Sequence, residues 1–186
     1  MPNEVLVKMG TPVCWADTTD YSATLSGITR THQIDLTSLA DGDMWQGAKA
    51  DLGAARPAGY AVKVCIEPDV APAAGTCIEF YWSSSFSSVA GTGNDGGAES
   101  AGADSDWDGI AGGAEAERDE YKNHLIRIGI LSLGADISTQ VATISPCFRP
   151  PTRYGFPIVK NDCGQALEGD AVEMYIALIP ITDEVQ

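Results

Sequence analysis

The sequence predicts an all-β protein, an antiparallel β-sandwich or jelly roll that carries one long loop and at most a short helix. Apolar and polar residues alternate with a period of two along several segments, and residues typical of turns separate these segments. Glycine reaches 20 of 186 residues, which suits a loop-rich β protein. The chain has no repeat and no linker, and its 44% of hydrophobic residues suffice for a core. We therefore expect a single domain over residues 1–186.

The clearest alternation predicts a hairpin. Residues 60–66 and 77–82 both alternate, and the residues between them are rich in Pro, Ala and Gly. Cys65 and Cys77 lie on these two strands, where they could face each other and form a disulfide. We nevertheless expect free thiols, because the chain has five cysteines, an odd number, and no C-x-x-C spacing.

Alternation also predicts a strand at 172–178, which Pro180 is expected to end. Weaker alternation predicts further strands at 4–9, 27–36, 124–133, 137–145 and 154–160. Residues 134–136 are expected to form a tight turn between two of these strands. One helix is expected over residues 114–123, a run of good helix formers, and residues 39–47 are expected to hold another helical turn.

Residues 83–116 interrupt the strand pattern, and we call them the acidic loop. Of these 34 residues, 22 are Gly, Ala or Ser, and none is Lys or Arg. The only large apolar residues in the loop, which we expect to anchor it, are Phe86, Val89, Trp107 and Ile110. We interpret the loop as an excursion that is pinned at Trp107 and able to lie across a neighbouring subunit. A mobile surface loop is the alternative.

The formal net charge of −15 excludes several kinds of partner. Nucleic acids and anionic membranes are bound by clustered Lys and Arg, so we expect neither. No apolar run reaches the length of a membrane span, and residues 1–4 carry no signal-peptide pattern. Residues 64–117 hold 10 acidic residues and no basic one. We therefore expect the acidic loop either to dock on a basic surface or to stay solvated.

One acidic motif has the spacing of a calcium-binding loop. Asp104, Asp106, Asp108 and Glu115 fit the pattern D-x-[DN]-x-[DN]-G-x5-E, in which alternate carboxylates converge on a hard cation. The residues before Asp104 are rich in Gly, Ser and Ala and cannot form the entering helix of an EF-hand. A solvated acidic loop is therefore the favoured interpretation, and we expect no other cofactor.

Enzymatic chemistry has little support in the sequence. His32 and His124 have no neighbouring nucleophile motif, and neither G-x-S-x-G nor H-E-x-x-H occurs. Triads can assemble from residues that are distant in sequence. We nevertheless predict no catalytic residue and no enzymatic activity.

Six aromatic or rigid residues are candidates for contact with a partner: Tyr81, Trp107, Pro150, Pro151, Tyr154 and Phe156. Tyr81 alternates with Phe80 and Trp82, which places it on the opposite face of its strand. A Pro-Pro segment loses little conformational entropy when it docks. The alternative for the segment around Pro150 is that it merely connects two strands.

Six short stretches of the sequence are the basis of a resemblance to known proteins. They are Ile78-Glu79-Phe80-Tyr81-Trp82, Ala90-Gly91-Thr92-Gly93-Asn94, Pro150-Pro151-Thr152-Arg153-Tyr154-Gly155, Pro157-Ile158-Val159-Lys160-Asn161 with Gly164, Asp170-Ala171-Val172-Glu173 and Pro180-Ile181-Thr182-Asp183-Glu184-Val185-Gln186. With them the chain resembles small structural proteins encoded by tailed bacteriophages. The resemblance covers mainly residues 76–94 and 125–186. The triplet Asp104, Asp106 and Asp108 departs from it, so the resemblance does not support a calcium site.

The resemblance implies a virion component with a sandwich or jelly-roll fold, most of all a head decoration protein, with no catalytic residue. The resemblance implies the major capsid protein or other virion proteins as partners, and a homo-oligomeric state. It also implies that the protein is made in the host cytoplasm and is located in the virion. A decoration protein stabilises a shell through many contacts that symmetry multiplies. The alternative is a carbohydrate- or receptor-binding sandwich, a tail or head-fibre adhesin assisted by calcium. An enzyme that acts on a surface polymer is the least favoured reading.

Overall fold

The computed structural model describes residues 5–185, which form two β-sheets packed face to face. The strands in chain order are β1 (Val5–Met9), β2 (Val13–Ala16), β3 (His32–Gln33), β4 (Met44–Gln46), β5 (Ala50–Asp51), β6 (Gly59–Ile66), β7 (Cys77–Ser85), β8 (Ser105–Asp106), β9 (Ile126–Ser132), β10 (Gln140–Phe148), β11 (Tyr154–Asp162) and β12 (Tyr175–Val185). Two short helices, α1 (Ala23–Ser26) and α2 (Glu115–Tyr121), complete the described elements, and a 3₁₀ turn at Lys122–His124 follows α2.

The first sheet has the strand order β10-β6-β12-β2-β3, and β1 also pairs with β12. The second sheet has the order β8-β4-β11-β7-β9, and β5 also pairs with β11. All described pairings are antiparallel except the short one between β2 and β3. The prediction of an all-β antiparallel sandwich with one short helix after a long loop is therefore confirmed.

The predicted hairpin of β6 and β7 is wrong, because the two strands belong to different sheets. β6 pairs with β10 and β12, whereas β7 pairs with β9 and β11. Cys65 and Cys77 therefore do not face each other, and all five cysteines are free thiols. The predicted tight turn at 134–136 is wrong for the same reason, since β9 and β10 lie in different sheets. Alternation identifies a half-buried strand without identifying its neighbours.

Pro180 does not end the last strand, contrary to the prediction. β12 continues to Val185. Along one edge it pairs with β2 as far as Leu178 and with β1 from Ile181 onward. The N–H and C=O of one residue in an antiparallel strand point to the same neighbour. The Pro180 carbonyl accepts from the Gly10 N–H at 2.9 Å, so the missing proline N–H falls in the gap between β2 and β1. The strand tolerates the proline because no ladder hydrogen bond is lost there.

Other local predictions had mixed outcomes. The strand predicted at 27–36 shrinks to His32–Gln33, and the turn predicted at 39–47 contains strand β4 instead of a helix. The short strands β2, β5 and β8 were not predicted. The helix predicted at 114–123 is confirmed as α2 and its 3₁₀ extension. Elements of two to four residues are too short to show a period.

The main core fills the space between the sheets. Trp15, Phe80 and Trp82 are fully buried there, and the Trp15 and Trp82 rings meet edge to face with centroids 5.7 Å apart. Gly155 allows β11 to pass close to the Trp82 indole, because a Cβ at this position would lie 2.5 Å from the ring. Trp15 of the first sheet and Trp82 of the second thus pack directly against each other across the core.

Candidate interaction surface

The acidic loop folds back over the outer face of the second sheet. It buries Trp107 completely, and the indole N–H of Trp107 donates to Ser100 Oγ at 2.9 Å. A second apolar cluster surrounds this indole, formed by Met44, Tyr81, Leu125, Phe156 and Ile158 with Tyr121 against it. Trp107 therefore pins the loop, as predicted, but it pins the loop to the protein's own sheet.

This covering places most of the predicted contact residues inside the protein. Tyr81 is 5% exposed and Phe156 is fully buried. They pack against Trp107 of the loop, so the prediction that these three residues meet a partner at the surface is wrong. Pro150 is also buried, whereas Pro151 is exposed and Tyr154 is half-buried. Only the last two remain accessible to a partner.

Ion pairs within the chain hold α2 on the second sheet. Lys160 of β11 is 3% exposed, and its ammonium lies 2.9 Å from the Asp119 carboxylate of α2. Arg118 of α2 forms ion pairs with Asp43 at 2.8 Å and with Asp108 of the acidic loop at 2.9 Å. Asp108 is the one carboxylate of the acidic loop with an ion pair among the described residues, and its partner Arg118 belongs to the adjoining helix, so docking of the loop on a basic surface stays a prediction.

Glu79 on β7 completes this network. Burial opposes its charge, but hydrogen bonds from Tyr81 and Lys122 outweigh burial and hold the pKa of the Glu79 carboxyl below its usual value. Arg127 adds an ion pair at 2.6 Å. Hydrogen bonds from Lys122 and Lys160 likewise lower the pKa of Asp119. These carboxylates hold α2 and the acidic loop on the second sheet, a structural role.

The four residues of the calcium pattern have separate environments. Asp104 Oδ1 accepts from the Trp45 indole N–H at 2.7 Å and from the Asp35 N–H at 2.8 Å. Asp108 is paired with Arg118. Asp106 lies in β8 and Glu115 begins α2, and both are exposed. The described residues contain no group of three or more His, Cys, Asp or Glu side chains arranged to hold a metal ion.

The two histidines have structural surroundings. His32 Nδ1 lies 2.9 Å from Thr31 Oγ1, and its ring stacks near Trp15 with centroids 5.3 Å apart. Burial lowers the pKa of His32. The Thr31 hydroxyl also lies 3.0 Å from the Cys14 carbonyl oxygen, and it accepts from the Cys14 N–H at 2.9 Å. His124 meets the edge of the Tyr121 ring.

One part of the acidic loop is held in an unusual way. Residues 85–94, which we call the tip loop, curl around the ammonium group of Lys49. The Lys49 Nζ donates to the carbonyl oxygens of Ser87 at 3.2 Å, Val89 at 2.7 Å and Thr92 at 3.1 Å, and to Ser85 Oγ at 2.9 Å. Burial lowers the pKa of Lys49. These carbonyl groups are not paired with a neighbouring strand, and the lysine donates hydrogen bonds to them instead.

The base of the tip loop is also closed. The backbones of Ser85 and Asn94 form an isolated bridge, and the Asn94 side-chain amide donates to the Ala90 carbonyl at 2.7 Å. The Gln46 amide, which is fully buried, donates to the carbonyls of Glu99 at 2.7 Å and Asp106 at 2.8 Å further along the acidic loop. The tip loop is therefore an ordered Ω-type loop on a fixed base.

This ordered loop presents two apolar side chains to solvent. Phe86 is 87% exposed and Val89 is 62% exposed, and we call the pair the contact surface. The sequence had suggested both residues as apolar anchors of the acidic loop, and for that role the suggestion is wrong. Lys49 was missed because the residues that it binds lie 36 to 43 positions away in sequence, with no local pattern to reveal them.

Comparisons with known protein families, curated proteins and solved structures found no match. Among the described residues, no helix is long and apolar enough to cross a membrane.

Proposed function

We propose that the protein is a non-enzymatic structural protein of a tailed-phage virion, a homo-oligomer that decorates and stabilises the capsid by contact with the major capsid protein. Two kinds of observation support the proposal. One is the resemblance of residues 76–94 and 125–186 to small phage structural proteins. The other is the contact surface, a feature that suits binding to another protein.

The exposure of Phe86 is the observation that carries the proposal. A phenylalanine left in water forgoes about 1.5–3 kcal/mol that burial would supply. The chain nevertheless holds this ring outward with a loop that Lys49 and Asn94 keep closed. Large aromatic anchors near the centre of an interface supply most of the binding free energy in many complexes.

The order of the tip loop matters as much as its composition. A loop that is already fixed loses little conformational entropy on binding, so more of the contact energy appears as affinity. On a shell with many symmetry-related copies, modest contacts of this kind add up through effective concentration. This arrangement fits a protein that reinforces a lattice. Pro151 and Tyr154 remain accessible as further contact residues.

The strand order supports a jelly-roll classification, which we include in the proposal. Without the peripheral strands β1, β3, β5 and β8, eight strands remain, namely β2, β4, β6, β7, β9, β10, β11 and β12 in chain order. Their order is six-three-eight-one in the first sheet and two-seven-four-five in the second. This is the order produced when two Greek keys wrap into a jelly roll, a fold that recurs in viral capsid proteins. The jelly-roll fold enters the proposal as an analogy with those capsid proteins.

Co-sedimentation with purified empty heads tests the proposal. We expect the unaltered protein to bind saturably and Phe86→Ala to weaken binding by about tenfold or more, because the anchor is lost. Ile137→Ala is the control, since Ile137 is also an exposed large apolar residue, at 55%, but lies outside the tip loop. Equal binding by Phe86→Ala would contradict the role of the contact surface. Absence of the chain from purified particles would refute the virion assignment.

A second candidate, a carbohydrate- or receptor-binding adhesin, also draws on the exposed Phe86 ring. Aromatic side chains present an apolar face and a defined geometry to a ligand. Binding to a glycan array that Phe86→Ala abolishes, together with no binding to heads, would favour this candidate over decoration.

A further inference from the structure

A concave site with an unusual concentration of positive charge lies at the end of the sandwich where β6 begins. It has a volume of about 290 Å³, and its walls include Ala54, Pro57, Ala58 and Pro150. Three polar side chains line it: Arg56, Tyr60 and Arg149. Neither the calcium pattern nor the contact surface includes any of these residues.

Arg56 is fixed in place by backbone carbonyl groups. Its Nη1 donates to the Pro150 carbonyl at 2.8 Å and to the Thr152 carbonyl, and its Nη2 reaches the Pro151 carbonyl at 3.5 Å. These contacts use three of the five N–H groups of the guanidinium and leave two for another acceptor. No carboxylate among the described residues neutralises the charge of Arg56.

Arg149 on the facing segment has no hydrogen-bond or ion-pair partner within the described part of the chain, and it is exposed. A chain with 26 acidic and 11 basic residues has a large excess of carboxylates available to pair with its cations. Lys160, Lys122 and Arg118 each have such a carboxylate partner. Arg30 and Lys63 also lack a carboxylate partner within the described part of the chain, so what distinguishes Arg56 and Arg149 is that both line one concave site.

Tyr60 provides the second, independent observation. Its side chain is 2% exposed and belongs to the main core, yet it lines the concave site. No hydrogen bond joins its hydroxyl to another described residue. The Tyr60 ring is buried, whereas its hydroxyl reaches solvent at the concave site. The open donor of Tyr60 thus faces the same space as the two arginines.

We propose that this concave site binds an oxyanion, a carboxylate or a phosphate group carried by a ligand. Arg149 supplies a free guanidinium, Arg56 supplies the two N–H groups left after its backbone contacts, and Tyr60 supplies a hydroxyl donor. Guanidinium groups and a hydroxyl donor match the oxygen atoms of such groups, and charge assistance strengthens the hydrogen bonds. This inference does not depend on the contact surface around Phe86.

The net charge of −15 opposes the binding of anions to the whole protein, so binding at this site depends on the local charge of its two guanidinium groups. Binding that depends on this local charge is expected to weaken with added salt. A carboxylate and a phosphate group can both accept these hydrogen bonds. The relative affinities of the site for the two anions distinguish a ligand with a carboxylate from a phosphorylated ligand.

Titrations with inorganic phosphate and with acetate, at constant ionic strength in chloride, test the proposal. Nuclear magnetic resonance of arginine side chains and of backbone amides near Tyr60 reports binding at the site itself. We expect saturable shifts with at least one of the two anions. A preference for phosphate indicates a phosphorylated ligand, and a preference for acetate indicates an acidic side chain or a chain terminus.

Arg149→Gln is expected to weaken this binding by about tenfold, since it removes the free guanidinium. The matched control is Arg30→Gln, which removes the same charge outside the site. Tyr60→Phe tests the hydroxyl alone and is expected to weaken binding severalfold while the aromatic ring stays in the core. Absence of saturable shifts, or equal weakening by Arg30→Gln, would overturn the proposal.

Discussion

The ammonium nitrogen of Lys49 lies 2.7 Å from the carbonyl oxygen of Val89, 40 residues further along the chain. The same nitrogen binds three further oxygen atoms of the tip loop, so one side chain organises the whole turn. The turn holds Phe86 in solvent at 87% exposure. A lysine is thus used as an internal cation around which the backbone wraps, a role that ordinary surface lysines do not have.

Replacing Lys49 with methionine is expected to loosen the tip loop without unfolding the sandwich. Methionine keeps the aliphatic stem but removes all four hydrogen bonds, which leaves the carbonyl groups of Ser87, Val89 and Thr92 without that partner. Amide hydrogen exchange in residues 85–94 should accelerate, whereas exchange in β6 and β12 should not change. Lys63→Met is the control for charge loss. Unchanged protection of the tip loop in Lys49→Met would contradict the assigned role.

The two aromatic residues of the acidic loop are expected to respond in opposite ways to truncation. Trp107→Ala should reduce the free energy of unfolding by about 3–5 kcal/mol, because the fully buried indole leaves a cavity under the loop. Phe86→Ala should change it by about 0.5 kcal/mol or less, since the ring is in water. Chemical denaturation measures both values. Limited proteolysis should cut the acidic loop only in Trp107→Ala, and cleavage of both variants at the same rate would be inconsistent with this structure.

Acid is expected to release α2 and the acidic loop from the second sheet. The pKa values of Glu79 and Asp119 are lower in the folded protein than their ordinary values of 4.5 and 3.8. A carboxyl with a depressed pKa contributes stability that is present above its ordinary pKa and is lost as pH falls through the folded value. The Lys122 and Lys160 contacts should therefore fail below about pH 4.

Near-ultraviolet circular dichroism of the tryptophans, together with hydrogen exchange in α2, measures this release. Asp119→Asn should shift the release of α2 to higher pH, because this variant lacks the carboxylate that pairs with Lys122 and Lys160. Glu120→Gln is the control, since Glu120 is exposed on the same helix. Release that begins only when the main core unfolds would show that the network does not act locally.

Thiol reactivity should distinguish the five cysteines. Burial raises the pKa values of Cys14 and Cys65 to about 12, so neither forms the reactive thiolate near neutral pH. Cys147 is exposed on β10 and should react first with a disulfide reagent at pH 8. Cys147→Ser should remove the fast phase. Mild oxidation should yield no Cys65–Cys77 crosslink, because these residues lie in different sheets, and detection of that crosslink by mass spectrometry would be incompatible with the strand order.

The sequence by itself determined the class of the fold and the faces of its long strands. Alternation places Val62 and Val64 inward and Lys63 outward, because side chains on a strand point to opposite faces in turn. The helix at α2 and the pinning role of Trp107 were also accessible, since helix propensity and a lone large indole in a run of small residues are local signals. These features depend only on residues that are close in sequence.

Only the tertiary structure decided which strands are neighbours and which surface stays open. β6 and β7 have the alternation of a hairpin, yet they are in opposite sheets, because a strand buried on one face satisfies the same pattern with any partner of suitable register. Phe86 and Trp107 occur in the same loop with similar surroundings in sequence. Phe86 is nevertheless in solvent, whereas Trp107 is buried in an apolar cluster. The difference arises from Lys49, Gln46 and Ser100, whose hydrogen bonds fix the path of the loop across the second sheet. Such long-range bonds have no signature in local sequence, since their geometry exists only after the sheets have packed.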